Sequence, residues 1–526
     1  MRTTRRAVIA GLGAAALARP NLARADRASV LKFIPQADLG ALDPIWSTAV
    51  VTQNHGWLVF DTLYGTADDF SIQPQMVEGD TVEHDGKLWR LTLRDGLRFH
   101  DGEPVRAQDV VASVKRWGAR DGFGTLLTAA TAELSAPSDR VVQFRLHRPF
   151  PLLRAALGKT TPSLACIMPE RLAKTDAAKQ VPEMVGSGPF RFLPDEHIAG
   201  ARVAYAKFDG YVPRPGDQPS YTAGPKRAYF ERIEWTVMPD SSSASAAMQA
   251  GEMDWWESPA LDLVPLLKRS RDLVIHADET SAQLGMLRFN ALYPPFDNAA
   301  ARRALLPAVN QADFMQAIAG DQTEFWKDGV GVFAAGAPMA SDAGVGVMKG
   351  DVDLAKRLLA AAGYNGERIV VLAPSDFPAI FQLGQVGADM LQRCGMNVDL
   401  QLQDWGTVIQ RRASRSPPAQ GGWNVFFTTL SGMSLFDPIG QLGLRGNGDA
   451  GWFGWPKAPR LEELRMAWLD APDLAAQKAV AREIQLQAWE DAPFLPLGQL
   501  LQPMVHRRDL AGIVKGASKF YGVHRV

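Results

Sequence analysis

The sequence predicts an α/β protein of several units. Three features carry that prediction: a helix–strand–helix–strand passage over residues 353–403, a hairpin-rich stretch of different character over 75–99, and a length of 526 residues, enough for about three domains at about 150 residues each. In the hairpin stretch, Asp85–Gly86 separates Thr81–His84 from Leu88–Leu93, and Asp-Gly suits a tight turn because both central residues need positive φ. Asp95–Gly96 and Asp101–Gly102 mark the next two turns. Gln108–Trp117 then reads as a helix with Val110, Val114 and Trp117 on one stripe.

Further along, Arg227–Val237 reads as a strand, and Ala244–Ala250 as a helix stopped by Gly251. The helical stretch Asn298–Gly320 contains Pro307, which removes a helix hydrogen bond at a cost of about 3 kcal/mol; a break is expected there, with Asn310 capping a second helix that ends at Gly320. The alternating passage follows as helix Asp353–Ala362 closed by Gly363, strand Arg368–Leu372, helix Phe377–Arg393 ending at Gly395, and strand Asn397–Gln403. In that last strand Val398, Leu400 and Leu402 alternate strictly with Asn397, Asp399, Gln401 and Gln403, which means one packed face. Helices Leu461–Leu469 and Leu474–Trp489 precede a final strand, Phe494–Leu501.

Composition narrows the function. With 46% hydrophobic and 21% charged residues the chain is neither disordered nor collagen-like, and no run of about 18 apolar residues marks a membrane span. Two cysteines, Cys166 and Cys394, make neither a disulfide scaffold nor a zinc module. Residues 1–25 read as an export signal: Arg2, Arg5 and Arg6, a weakly apolar stretch Ala7–Ala18, and an Ala-x-Ala cleavage site at Ala23–Ala25. The Arg5–Arg6 pair and the mild hydrophobicity suit the twin-arginine route, and no Cys near the cleavage point offers a lipid anchor. The remaining 501 residues carry 51 basic and 57 acidic side chains, a net charge of −6 that argues against nucleic acid.

Catalytic patterns are missing. The eight histidines are scattered without helical ligand spacing, and no Gly-x-Ser-x-Gly elbow occurs. Gly158–Lys159–Thr160 resembles the end of a phosphate loop, but Leu153 stands where its first Gly belongs, so it reads as coincidence. No metal site and no cofactor is expected. Tryptophan is abundant, with 14 residues, and Trp46, Trp405, Trp423, Trp452 and Trp455 lie beside Gly, Ser, Asp, Asn or Pro. Aromatic faces in such contexts suit a cleft that buries a small ligand while a few polar groups orient it.

Residues Leu91–Val110, reading LTLRDGLRFHDGEPVRAQDV, resemble the signature of the solute-binding proteins of peptide/nickel-type ABC importers, the bacterial extracellular solute-binding protein family 5 that includes dipeptide- and oligopeptide-binding proteins. Other markers follow in the family's order: Leu42–Asp43–Pro44, Asp61–Thr62–Leu63–Tyr64, Val185–Phe190, Met248–Asp254, Phe289–Asn290, Pro295–Asp297, Lys356–Leu359, Gly395–Val398 and Ala492–Leu497. The resemblance spans the mature chain. It implies a two-lobed periplasmic binding protein fold, type II-like and of cluster C, with an extra domain inserted in lobe one. Residues 26–60, 186–277 and 494–526 would form lobe one, 61–185 the inserted subdomain, and 278–493 lobe two.

The function implied is capture by closure: ligand favours the closed form because only there does it touch both lobes, and the permease of an ABC importer in the inner membrane recognises that form. The partners implied are a small organic solute, peptide-like or other, and the permease subunits, with the protein itself a soluble periplasmic monomer. Residues expected to line the cleft are Trp46 and His55 in lobe one, and Trp405, Phe426, Thr428, Ser431 and Ser434 in lobe two, with Arg445 and Trp455 beside them. One departure bears on specificity. Peptide-binding members hold the ligand's amino group with an acid shortly before an Asp-Pro; here Asp437–Pro438 matches, but Ser434 stands at the acid's position, and a neutral hydroxyl lacks the charge-assisted bond an ammonium prefers. Arg106 replaces the family's usual helix-capping Thr. An exported enzyme on this scaffold, suggested by the twin-arginine signal, and a chaperone or sensory adaptor are the alternatives.

Overall fold

The computed structural model describes residues 29–47, 49–160, 163–277, 282–375, 377–431, 435–516 and 519–526. Residues 1–25, the expected export signal, lie outside them, as does Ser434. Three sheets organise the chain. A seven-stranded sheet runs in the order Leu273–His276, Met504–Arg507, Trp255–Trp256, Val30–Ile34, Arg232–Thr236, Arg202–Lys207, Phe190–Phe192. Val30–Ile34 is parallel to both of its neighbours, so the carboxyl ends of three strands share one edge. Its core is aromatic: the Phe33 ring lies 5.4 Å from Trp235, 5.4 Å from Trp255 and 4.9 Å from Phe520.

The insertion carries a four-stranded antiparallel meander built from Val77–Glu83, Leu88–Leu93, Val141–Leu146 and Thr131–Ser138. Its first turn has positive φ at Asp85 (55°) and Gly86 (82°) as the Asp-Gly pair demands, and His84 joins them at 53°. Helix Ala107–Gly118 packs on this sheet, burying Val110, Val114 and Trp117. Arg106 offers the helix no oxygen, and Asp109 supplies it instead: its Oδ2 accepts the Arg106 N–H at 2.8 Å.

The second lobe rests on a six-stranded sheet ordered Trp326–Lys327, Phe494–Leu500, Gln283–Phe289, Val425–Ser431, Arg368–Pro374, Asn397–Gln403. Arg368–Pro374 is parallel to Asn397–Gln403 through helix Pro378–Arg393, and parallel also to Val425–Ser431. Its Ile369 and Val371 face the large core with that helix, while Val370 and Leu372 join a second cluster with Val408, Trp423, Phe426 and Trp455. The break expected at Pro307 is a 3-10 turn, Leu306–Ala308, between helices Ala299–Arg303 and Gln311–Ala319. Asn310 precedes the second helix without capping its backbone; its Nδ2 donates to Asp313 Oδ1 at 2.8 Å.

One expected boundary is corrected. Phe494–Leu500 does not return to the first lobe: it pairs antiparallel with Gln283–Phe289 and Trp326–Lys327 in the second. The chain recrosses between Leu500 and Met504, and Met504–Arg507 then joins the first sheet beside Trp255–Trp256. All seven residues of Phe494–Leu500 are buried, so periodicity marks a strand but carries nothing about which sheet receives it.

Candidate functional site

The halves meet along a crevice with the insertion on one side. Phe70 of the insertion and Phe436 of lobe two stand edge to face at 5.0 Å, and Arg148 bonds Asp470 at 2.9 Å across the same boundary. Between lobe two and lobe one, Gln322 Nε2 donates to Leu261 O at 3.0 Å. A cavity of about 460 Å3 opens between insertion and lobe two, walled by Phe70, Phe123, Met339, Phe436 and Trp468. Its charged groups are Lys159 and Asp437, with Asp69 at the rim. Lys159 pairs with Asp121, whose Oδ1 also accepts the Phe123 and Gly124 N–H groups at 2.9 Å as the cap of helix Gly122–Ala130. Burial holds Asp437 above the ordinary carboxylate range, against its bond from Gly440 N and the pull of Lys159.

A second candidate region is the carboxyl end of the parallel strands of lobe two, Arg368–Pro374 and Asn397–Gln403. In open α/β sheets ligands bind outside the carboxyl ends of such strands. Helix Trp405–Arg412 starts there, directly after Asn397–Gln403, with Asp404 capping it through a 2.9 Å bond from Thr407 N. Half-buried Trp405 lies 5.7 Å from the exposed Phe377 ring. Around the helix gather Phe426, Trp423, Trp452, Phe453 and Trp455: Trp423 to Phe426 is 5.0 Å, Phe426 to Trp452 5.6 Å, and Trp423 to Trp455 6.2 Å. The Arg412 guanidinium sits among these rings, 5.0–5.8 Å from four of them. On the lobe-one side, at the matching edge, Glu257 accepts the Gln36 N–H at 2.9 Å and Asn54 Nδ2 at 2.5 Å.

The nine residues expected to line the cleft fall into separate places. Trp405, Phe426 and Trp455 come together in the lobe-two aromatic cluster, Trp405 at its rim and the other two inside it. Arg415 lies over the Trp455 ring at 4.7 Å. Thr428 is buried in the strand, its Oγ1 3.3 Å from Thr429 O, and Ser431 is half-buried at the strand's end. Arg445 reaches from lobe two to the insertion: its Nη2 is 2.6 Å from the point a Cβ on Gly122 would occupy, so glycine makes room for it. Trp46 is 39% exposed, its Nε1 donating to Ala178 O at 3.2 Å and Arg120 above its ring. His55 is corrected: it is wholly enclosed within lobe one, Nδ1 2.9 Å from Tyr205 Oη and its ring edge-on to Phe192 at 5.4 Å, so it offers nothing to a crevice. Ser434 lies outside the described residues.

Sequence reasoning missed Lys159, Arg412 and Glu257. Lys159 stood in a motif set aside as a chance likeness to a phosphate loop, which drew attention from its place beside the cavity. Arg412 and Glu257 gave no signal, because their settings come from Trp452 and Phe453, and from Gln36 and Asn54, far away in the chain.

Two α/β lobes with parallel strand ends facing a crevice, and an insertion closing its flank, define a periplasmic binding protein. The comparisons with known proteins agree: residues 71–447 match the family described as bacterial extracellular solute-binding proteins, family 5. The chain is 36% identical over 513 residues to a probable peptide ABC transporter periplasmic-binding protein of Sinorhizobium fredii, covering 96% of each. Two solved structures share the fold at 20% identity. A binding protein from Agrobacterium tumefaciens in complex with agropinic acid has a TM-score of 0.76, over 94% of this chain and 99% of that one. A dipeptide-binding protein from Pseudoalteromonas in complex with Met-Leu has a TM-score of 0.75, over 94% and 100%. The chain belongs to solute-binding protein family 5, and it serves an ABC importer by capturing a solute and delivering it. Among the described residues no helix is long and apolar enough to cross a membrane.

Proposed function

We propose that the mature chain, freed of residues 1–25, works in the periplasm as a monomer that closes on a small organic, peptide-like solute and makes or breaks no bond in it. The observation that carries this reading is the cavity of about 460 Å3 whose walls come from both sides of the crevice, Phe70 and Phe123 from the insertion, Met339, Phe436 and Trp468 from lobe two. Its size and apolar walls suit a small guest. Neither side alone encloses such a guest, so binding energy goes into closure, which is how a ligand shifts a two-state equilibrium. The relative from Sinorhizobium fredii supports the peptide-like class, and Ser434 argues that a free ammonium is not the anchor.

The test is thermal melting of the mature protein with dipeptides, tripeptides, their N-acetyl forms and opines such as agropinic acid. A true ligand at about 100 times its dissociation constant adds roughly 2.7 kcal/mol of stability. At least one compound is expected to raise the melting temperature, and Phe436→Ala to weaken its binding while the unliganded protein stays folded. Turnover of a bound compound, or no shift with any member, overturns the proposal.

A further inference from the structure

The insertion meets its two neighbours by different kinds of contact. To lobe one it is joined through the main chain and through buried charge. Thr222 N donates to Thr66 O at 2.9 Å, Thr66 N to Thr222 Oγ1 at 2.8 Å, and His100 N to Gly186 O at 2.9 Å. Two enclosed ion pairs, Lys226–Asp61 and Arg116–Asp43, both at 2.7 Å, cross the same seam. Parting it would strand charges and main-chain groups away from water, so the insertion moves with lobe one.

Lobe two is met by side chains; among the described residues no main-chain hydrogen bond crosses to it from the insertion. The Phe70 ring stands edge to face on Phe436 at 5.0 Å. Arg148 Nη1 donates to Asp470 Oδ1 at 2.9 Å, with the two side chains 47% and 60% exposed. The Arg445 guanidinium lies against Gly122, the first residue of helix Gly122–Ala130. Each of these contacts can part and meet water without stranding a buried group. Each is also weak alone: a ring pair shifts an equilibrium by about two- to tenfold, an exposed ion pair by about fivefold at most. Such contacts suit a fastening that opens as well as shuts.

The insertion presents its ring on a prepared turn. Phe70 lies between strands Tyr64–Thr66 and Ile72–Pro74 at φ +64°, a conformation that bulky side chains rarely adopt. Phe70 N donates to Ala67 O and Ala67 N to Ser71 O, both at 2.9 Å, while Asp68 N reaches Ser220 Oγ of lobe one at 2.9 Å. A strained residue held in place by its surroundings points to a switching contact, and here the contact is Phe436.

We propose that the insertion is a clasp: fixed to lobe one, it grips lobe two when the crevice shuts and holds the closed form through contacts the solute does not make. Arg148, Asp470, Arg445 and Gly122 all stand outside the lining of the cavity. This rests on the closure reading above and adds to it. The unliganded protein visits the closed form, the clasp sets how often, and the solute's apparent affinity scales with that fraction.

The experiment measures, by pulsed electron resonance on the mature unliganded chain, the distance between spin labels introduced by A132C in the insertion and A361C in lobe two. Ala132 and Ala361 are exposed, whereas Cys166 and Cys394 are buried. Wild type is expected to show an open and a closed population. R148E and D470R should each lower the closed-to-open ratio by about two- to fivefold, the double variant R148E/D470R should restore it, and F70A should lower it by up to about tenfold. The charge swap carries the test should F70A fail to fold. A swap that restores nothing, or ratios unchanged in every variant, overturns the clasp. If a solute of the melting panel still shifts the distribution, capture by closure stands; if none does, both fall.

Discussion

The two halves differ in how they hold some of their buried positive charge. In the first lobe and its insertion two buried cations, Lys226 and Arg116, each have their own acid. Lys226 Nζ meets Asp61 Oδ1 at 2.7 Å with both side chains fully enclosed, Tyr211 donating to the same carboxylate at 2.8 Å; Arg116 grips Asp43 at 2.7 Å and 3.3 Å. In the second lobe Arg465 has Glu462, but Arg288 and Arg302 are held by carbonyl oxygens. Arg288 bonds Phe453 O, Gly443 O and Pro493 O at 2.7–2.9 Å, and burial lowers its pKa to about 9; that of Arg302 falls to about 10 for the same cause. A carbonyl solvates a cation without neutralising it. Arg288 is thus solvated by carbonyls alone, and both Arg288 and Arg412 lie against the Trp452 ring, at 5.2 Å and 5.8 Å.

The sharpest way to break this contrast is Lys226→Met. Removing one member of a buried pair strands the other, at a cost of about 3–5 kcal/mol. The pH dependence should also invert. In wild type, burial on its own would raise the Asp61 pKa, but Lys226 and the donors around it win and hold it below the ordinary 3.8. Its contribution is therefore present above pH 3.8 and fades as pH falls through the lowered value. Without Lys226 only burial and the neutral donors act, the folded pKa rises above 3.8, and acid relieves the variant. Urea unfolding should show the gap to wild type narrowing from pH 7 toward pH 4; a constant gap would mean that Asp61 does not depend on Lys226.

Arg288→Met probes the other half. It strips three carbonyls of a charged donor, yet it also removes Nη2, which is buried without a partner. The balance is a loss of roughly 2 kcal/mol, within the range for charge-assisted bonds. Because the folded pKa of about 9 lies above the whole interval from pH 4 to 8, that loss should stay flat there. A loss that tracks pH would reveal a carboxylate partner, and the contrast between the lobes would fall.

How far the sequence foretold this depends on how local each feature is. Local signals read well: Asp85–Gly86 makes its turn, strand Asn397–Gln403 has the predicted bounds, and Gly251 closes its helix at φ +72°. Distant pairing did not read. Phe494–Leu500 is apolar enough for either sheet, and its choice depends on matching Gln283–Phe289, more than 200 residues earlier. The site divides the same way. Trp405 and Trp455 stood out as tryptophans in polar settings, and the structure joins them in one cluster. His55 looked polar and available, but its neighbours Phe192 and Tyr205 come from strands about 140 residues later and enclose it. Arg412 looked like any solvent-facing helix cation, since two of the rings that cage it sit 40 residues beyond it.

His55 supplies the smallest effect and a third way to bury a titratable group in lobe one, by keeping it neutral. Burial first, and His197 second, lower its pKa from 6.5 to about 3. Its Nε2 is enclosed without a partner, so a proton there would have no acceptor. Buried His100 behaves alike, at about 4, its Nε2 bonded to Gly188 O. Below pH 6.5 the unfolded chain takes up a proton at each histidine that the folded chain refuses, so stability falls as pH falls and is flat above 6.5. Each histidine contributes about 1.4 kcal/mol per pH unit across its window. His55→Leu leaves Tyr205 Oη without its ring nitrogen and costs some stability at every pH, but between pH 6 and pH 4 its acid slope should be shallower than wild type by one proton's worth, with His100 still titrating. Identical slopes from urea unfolding at pH 4, 5 and 6 would mean that His55 reaches solvent in the folded protein, and with it that the lobe-one core opens where these contacts hold it shut.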